Sequence, residues 1–446
     1  EIAQCLVGSE MCIRDRSGIK NYTHSVDLWM KNSGLIIDCD EKKNALRNLF
    51  KNSKVAFIYG AAGTGKSTMI NYISSLFKDK QKIFLANTNP AVENLRRKVT
   101  AEHAEFVTIT KFLSKDVSND CDILCLDECS TISNRDMVRV LQRAQCKLLV
   151  LVGDIYQIES ILFGNWFNIA YKVMPKDSVA ELTRPHRTTV QGLIEVWNKV
   201  REITEDRLEF ITRNGLSSTL DESIFSRTEE DEIVLCLNYD GIYGINNINK
   251  FLQSNNVNPS INWGVLSYKV GDPVLFNESN RFAPLVYNNL KGKILQIEEE
   301  EDCIYFTIEV YTVLNELDVI GFDLELKESV TDETSVIRFK VGRGGDGNDD
   351  NDNVENVVPF QVAYAISIHK AQGLEYESVK VVITSEIEEM VSHNIFYTAI
   401  TRAKSKLKIY WSPETEKRIL ENMKVQFNDK DYQLFKAKYK EALLKS

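Results

Sequence analysis

Apolar and polar positions along the chain sort into two runs of alternating elements. Between about residues 40 and 180, the short apolar stretches "VAFIYG", "KIFLAN", "FVTIT", "DILCLDE" and "KLLVLVGD" alternate with segments of helical period. Continuous apolar runs of that length predict a parallel sheet covered on both faces, with ligands at the carboxyl ends of its strands. A second alternation begins near "EIVLCLNYDGIYGINNINKFL", resumes at "VPFQVAYAISIHKAQG" and "VKVVITSE", and ends with "KLKIYWS". It predicts a second α/β domain. Between its two parts, from about Gly264 to Val358, lie strand candidates such as "KILQIEEE", "CIYFTIEV" and "SVIRFKV" with few helical periods. This texture predicts a small inserted β-barrel. The polar stretch from 342 to 357 reads as a solvated loop, and Glu298 to Asp302 as a solvated hairpin rather than an ion site.

A length of 446 residues fits two or three domains, and 43% hydrophobic with 26% charged residues is the composition of a globular protein. No apolar run approaches the ~20 residues of a membrane span, so no membrane partner is expected. The net charge of −10 argues against a generally basic surface and leaves a local nucleic-acid channel open. Nine cysteines without a C-x-x-C pair read as reduced thiols of an intracellular protein. Period two places Cys121 and Cys125 on one strand face, which favours core packing over zinc. The chain begins with Glu, and "CLVGSEMCIRDRS" reads as translated adapter sequence, so residues 1–17 are set aside as non-native and the true N-terminus is expected to be missing.

Candidate chemistry starts at "GAAGTGKST", residues 60 to 68, which fits G-x-x-x-x-G-K-[ST] between a predicted strand and a predicted helix. Gly60, Ala61, Ala62, Gly63, Thr64 and Gly65 would turn backbone N–H groups onto a β-phosphate at a helix N-terminus. Lys66 would reach the β- and γ-phosphates, Ser67 would ligate Mg²⁺, and Thr68 would complete the cradle. "ILCLDECS" puts Asp127 and Glu128 at a strand end, one to hold Mg²⁺ and one to polarise the attacking water. After the next strand, "LVGDIYQIES" offers Gln157, whose amide can touch both the γ-phosphate and that water, while Asp154 could cap the turn. The expected cofactors are ATP and Mg²⁺.

These stations together resemble the nucleotide-binding domain of superfamily 1 helicases, and the resemblance extends from about Asp40 to Trp411. It implies two RecA-like P-loop NTPase domains with parallel sheets and an inserted SH3-like barrel: 18–185, then 186–262 with 358–446, with 263–357 inserted. "ANTNPAVENL" and "VTITKFL" resemble segments that touch single-stranded nucleic acid, which implies that role for Thr88, Asn89, Thr110 and Phe112. "ELTRPHRTT" and "FYTAITRAKSKL" resemble motifs that supply arginine fingers, here Arg187 and Arg402. "AYAISIHKAQGLEYESVKVV" resembles the segment coupling nucleotide to strand: Ser367 and His369 would face nucleic acid, Glu375 the nucleotide, and Gln372 and Gly373 belong to the same segment. The implied activity is ATP-dependent 5′ to 3′ movement on single-stranded DNA or tailed duplex DNA, from a likeness to the RecD-like branch. "GLEY" leans to the UvrD-like branch. RNA, a translocase that does not unwind, and a nucleotide-gated scaffold remain as alternatives. Where the family normally offers a Gln upstream of the phosphate loop, "DEKKNAL" places Lys42, which leaves base selectivity open.

Overall fold

The computed structural model describes residues 18–437 apart from 62, 115–118, 158–164, 185–187, 278–280, 284, 330, 344–355, 425–431 and 435–436. Residues 1–17, Ala62, Arg187 and most of the acidic loop therefore lie outside the described residues. The chain divides into two compact units, one of Glu1–Glu205, Ser392–Thr401 and Met423–Ser446, the other of Asp206–Val391 and Arg402–Asn422.

In the first unit, six strands form one wholly parallel sheet: β1 (Val55–Gly60), β2 (Lys82–Ala86), β3 (Ala104–Thr108), β4 (Asp120–Leu126), β5 (Gln145–Gly153) and β6 (Val179–Leu182). Their order is β3-β2-β4-β5-β1-β6. Successive residues face opposite sides, so Phe57, Leu124 and Leu151 enter one core while Ile58, Ile123 and Val150 enter the other. Helices on both faces complete these cores, as expected for a buried parallel sheet.

Two local expectations change. Cys121 and Cys125 are both buried but belong to opposite cores. The cause is at Asp122 and Ile123, whose N–H groups both donate to Gln81 O at 2.9 and 3.0 Å, and this doubling shifts the strand's phase by one residue. "FVTIT" is only partly strand. It ends at Thr108, whose hydroxyl accepts from Lys111 N at 3.2 Å and caps the short helix Ile109–Leu113.

The second unit holds a five-stranded parallel sheet, order β17-β8-β18-β19-β7, from β7 (Ser217–Ser218), β8 (Glu232–Cys236), β17 (Ala365–Ser367), β18 (Tyr376–Val382) and β19 (Ala403–Tyr410). Between β8 and β17 come a hairpin of β9 (Ser260–Trp263) and β10 (Leu266–Lys269) and an antiparallel sheet. That sheet is ordered β14-β15-β13-β12-β11-β16, from β11 (Pro273–Phe276), β12 (Lys291–Glu299), β13 (Cys303–Val310), β14 (Glu325–Lys327), β15 (Ser335–Gly342) and β16 (Phe360–Val362). In β13, Ile304, Phe306, Ile308 and Val310 are buried while the residues between them are partly exposed, the period-two pattern of a sheet with one face on a core.

The helix His393–Ile400 lies in the stretch assigned from sequence to the second domain, yet it groups with the first unit. Trp197 Nε1 donates to Ile400 O at 3.0 Å and His393 Nε2 lies 2.8 Å from Val200 O, joining this helix to Gln191–Glu202. Among the described residues no helix is long and apolar enough to cross a membrane, and no three His, Cys, Asp or Glu side chains gather as a metal cluster.

Candidate nucleotide and nucleic-acid site

The phosphate loop leaves the carboxyl end of β1 and enters the helix Lys66–Leu76. Gly63 and Gly65 have φ of 76° and 85°, left-handed values that side chains disfavour, so the glycines here answer a backbone requirement. Thr64 is fully buried and its hydroxyl donates to Ala61 O at 2.9 Å, closing the loop on itself. Lys66 Nζ donates to Gly60 O at 2.7 Å and Ala61 O at 2.9 Å, so the ammonium is folded over the loop. Ser67 and Thr68, in the first turn of the helix, are half-buried.

The neighbouring strands end level with this loop. Tyr59 pairs with Gly153 and Leu126 with Leu151, which brings Asp127, Gln157 and the loop to one edge of the sheet. Burial pushes the Asp127 carboxyl up, while the Glu128 N–H at 2.8 Å and the positive Lys66 and Lys98 pull it down. Glu128 has φ of 51°, a strained conformation for a non-glycine residue. Its carbonyl accepts from both the N–H and the hydroxyl of Thr131 at 2.9 Å, and these bonds hold the turn. Asp154 caps the turn before Gln157 by accepting from Tyr156 N at 3.0 Å.

The same edge carries the first unit's candidate nucleic-acid residues. Thr88 and Asn89 follow β2 and are exposed, but the Thr88 hydroxyl also caps its helix by accepting from Ala91 N at 3.4 Å. Thr110 follows β3 and is exposed. Phe112 is corrected: it is 0% exposed, within the core, with the Arg143 guanidinium 5.6 Å from its ring centroid. It offers no ring face for stacking.

In the second unit the stations separate. Ser367 ends β17 level with Cys236, at the carboxyl edge, and its hydroxyl accepts from Lys370 N at 3.2 Å; His369 beyond it is exposed. Glu375 and Arg402 stand at the opposite, amino edge, where Tyr376 pairs with Ala403. Arg402 is 2% exposed and its guanidinium donates to Leu374 O at 3.3 Å. The segment from Ile368 to Glu375, with Gly373 left-handed at φ 81°, thus runs from one edge of the sheet to the other.

Residues 39–221 match a family described as an AAA domain, and residues 362–410 match the UvrD-like helicase C-terminal domain. A RecBCD enzyme subunit RecD from Buchnera aphidicola is 23% identical over 87% of this chain and 78% of its own length. An ATP-dependent DNA helicase Pif1 from Campylobacter jejuni is 23% identical over 79% of this chain and 88% of its own. These matches support a superfamily 1 helicase of the RecD/Pif1 type. An uncharacterised protein of Methanocaldococcus jannaschii is 24% identical over 82% of this chain, which spans 37% of that longer relative. The chain also shares its fold with Pif1 from Candida albicans, at a TM-score of 0.51 and 20% identity over 87% of this chain and 99% of that one. The Bacteroides Pif1 complex with ADP-AlF3 and single-stranded DNA gives 0.50 and 17%, over 85% and 93%.

Sequence reasoning missed two features near the candidate site. Glu41 Oε1 accepts from the Thr183 N–H and hydroxyl at 2.9 and 2.7 Å, tying the helix Asp40–Asn48 to the end of β6 shortly before Arg187 in sequence. Lys291, at the start of β12, reaches Asp231 at 2.6 Å and Glu375 O at 3.1 Å, with its ammonium 4.1 Å from the Tyr376 ring centroid. Neither carries a motif.

Proposed function

We propose that this chain hydrolyses ATP to move 5′ to 3′ along single-stranded DNA and to separate tailed duplexes. The observation that carries the reading is the convergence of the phosphate loop, Asp127–Glu128 and Gln157 on the carboxyl edge of one parallel sheet. In that role the backbone of Gly60 to Gly65 and the Lys66 ammonium bind the phosphates. Glu128 accepts the proton of the attacking water and Gln157 orients that water. Arg187 and Arg402 place cations on the γ-phosphate, and Glu375 contacts the nucleotide.

The Ser67 hydroxyl and Asp127 carboxylate are hard oxygen donors, and two protein ligands suit Mg²⁺, which completes its shell with phosphate and water. When bound, the ion neutralises charge on the γ-phosphate. Thr88, Asn89, Thr110, Ser367 and His369 are the proposed contacts to the strand. The antiparallel strands β11 to β15 are read as a small SH3-like barrel inserted at 263–357, within a second RecA-like domain of 186–262 and 358–446 that follows the first at 18–185.

The test measures ATP turnover with and without single-stranded DNA or RNA, and strand separation on 5′-tailed and 3′-tailed duplexes. DNA-stimulated turnover with separation of 5′-tailed DNA is expected. Turnover indifferent to every strand would sink the motor, stimulation without separation would leave a translocase, and preference for RNA would reassign the substrate.

A further inference from the structure

Lys42 is a lysine buried to 1% exposure beside the phosphate loop. Its ammonium is paired with Asp38, whose own N–H lies 3.4 Å from the Tyr72 hydroxyl on the helix that follows the loop. On its other side it rests on Gly65. A Cβ at Gly65 would lie 2.5 Å from Lys42 Nζ and 2.8 Å from its Cε, so the side chain fills the space that glycine leaves. Gly65 is the N-cap of the helix Lys66–Leu76, which has no side-chain cap and no acidic residue in its first turn. The positive end of that helix dipole therefore meets two ammonium groups, Lys42 and Lys66, with Asp38 as the carboxylate paired to the first. Such a concentration of positive charge is relieved by a polyanion seated in the loop.

We propose that Lys42 is the second cation of the phosphate site, positioning the loop through Gly65 and drawing the polyphosphate chain rather than reading a base. The inference rests on the nucleotide-binding reading of residues 60–68. An ammonium has three donors and no acceptor, so it lacks the paired donor and acceptor by which an amide distinguishes adenine from guanine. Binding energy at this point comes from phosphate, which all nucleoside triphosphates share. The substrate class is accordingly broad, and Lys42 sets affinity while Lys66 and Glu128 set the chemical step.

The test begins with the wild-type chain, by competition of ATP, GTP, CTP, UTP and inorganic tripolyphosphate against a fluorescent nucleotide. The four nucleotides are expected to bind within about tenfold of one another, with tripolyphosphate competing. Discrimination of ATP over GTP by more than about 100-fold with tripolyphosphate inert overturns the proposal. In Lys42→Met the Kd of every nucleotide and of tripolyphosphate is expected to rise by one common factor of roughly 10 to 100, with kcat at saturation held within a few-fold. Loss confined to ATP makes Lys42 a base reader, and an unchanged tripolyphosphate Kd in a folded variant removes it from the phosphate site; either result overturns the proposal. Failure of the wild-type chain to bind any nucleotide overturns instead the reading of residues 60–68.

Discussion

Thr88 illustrates a residue whose two roles can be pulled apart. Its hydroxyl caps a helix and its exposed position suits a contact to a phosphate backbone. Thr88→Asp keeps the cap, because a carboxylate accepts the same N–H bond and favours a helix N-terminus, but it repels DNA. We expect its thermal midpoint to match the wild type while its affinity for a single strand falls. Thr88→Ala is expected to lose about 1 kcal/mol of stability as well. If Thr88→Asp binds DNA as the wild type does, the hydroxyl is a cap alone. At the phosphate loop, Lys66→Ala removes the ammonium that bridges Gly60 and Ala61 carbonyls. ATP hydrolysis is expected to fall to background with the far-ultraviolet circular dichroism unchanged. Persisting turnover would refute the cradle. Asp127→Asn relieves a carboxylate that burial disfavours, so the nucleotide-free variant is expected to melt no lower than the wild type at neutral pH while turnover falls by roughly 100-fold or more.

Elements were legible to the extent that their burial was continuous or regularly alternating. β1 and β2 fall within the apolar stretches read from the sequence, and β4 and β5 begin two residues before theirs, because both their faces are covered. β6 has four residues, one of them the exposed Glu181, and β7 has two, so neither produces a periodic signal. Phe112 took its role from a family resemblance alone, and the five-residue helix Ile109–Leu113 buries its ring in the core. The side of the sheet on which Glu375 and Arg402 stand, opposite Ser367, follows from strand direction, which a pattern of apolar residues does not encode. The same edge yields a prediction for β12. Burial holds the Lys291 ammonium below the ordinary lysine range, against the pull of Asp231. Between the lowered folded value and the ordinary one, the unfolded chain holds more protons, so this group adds stability as pH rises through that window. Lys291→Met is expected to remove that alkaline gain and, at neutral pH, to cost about 2 kcal/mol by leaving Asp231 without this partner. Thermal melts from neutral to alkaline pH test both, and a variant with unchanged slope and midpoint would dismiss the ion pair as a support for β12.

At the scale of the whole molecule, hydrolysis and strand binding are expected to be linked in both directions, because linkage between two ligands on one protein is reciprocal. Single-stranded DNA should raise turnover, and a non-hydrolysable ATP analogue should change strand affinity. Arg402→Ala is expected to cut turnover by about 1000-fold while ATP still binds, as loss of an arginine finger does. Near-normal turnover in that variant would make the guanidinium a structural group, bonded to Leu374 O, rather than a finger. The allegiance of the helix His393–Ile400 to the first unit bears on something else, the order in which the chain is made. Trp197 and Val200 find their partners in Ile400 and His393, 203 and 193 residues later. At ribosomal rates of roughly 5–20 residues per second, those partners emerge about 10–40 s after the helix they cover. Until then the apolar side of Gln191–Glu202, with Leu193, Val196 and Trp197, lacks the helix that covers it in the finished fold. Nascent chains arrested before residue 392 are therefore the species on which a chaperone would act, and the first unit is completed only after most of the second has been translated.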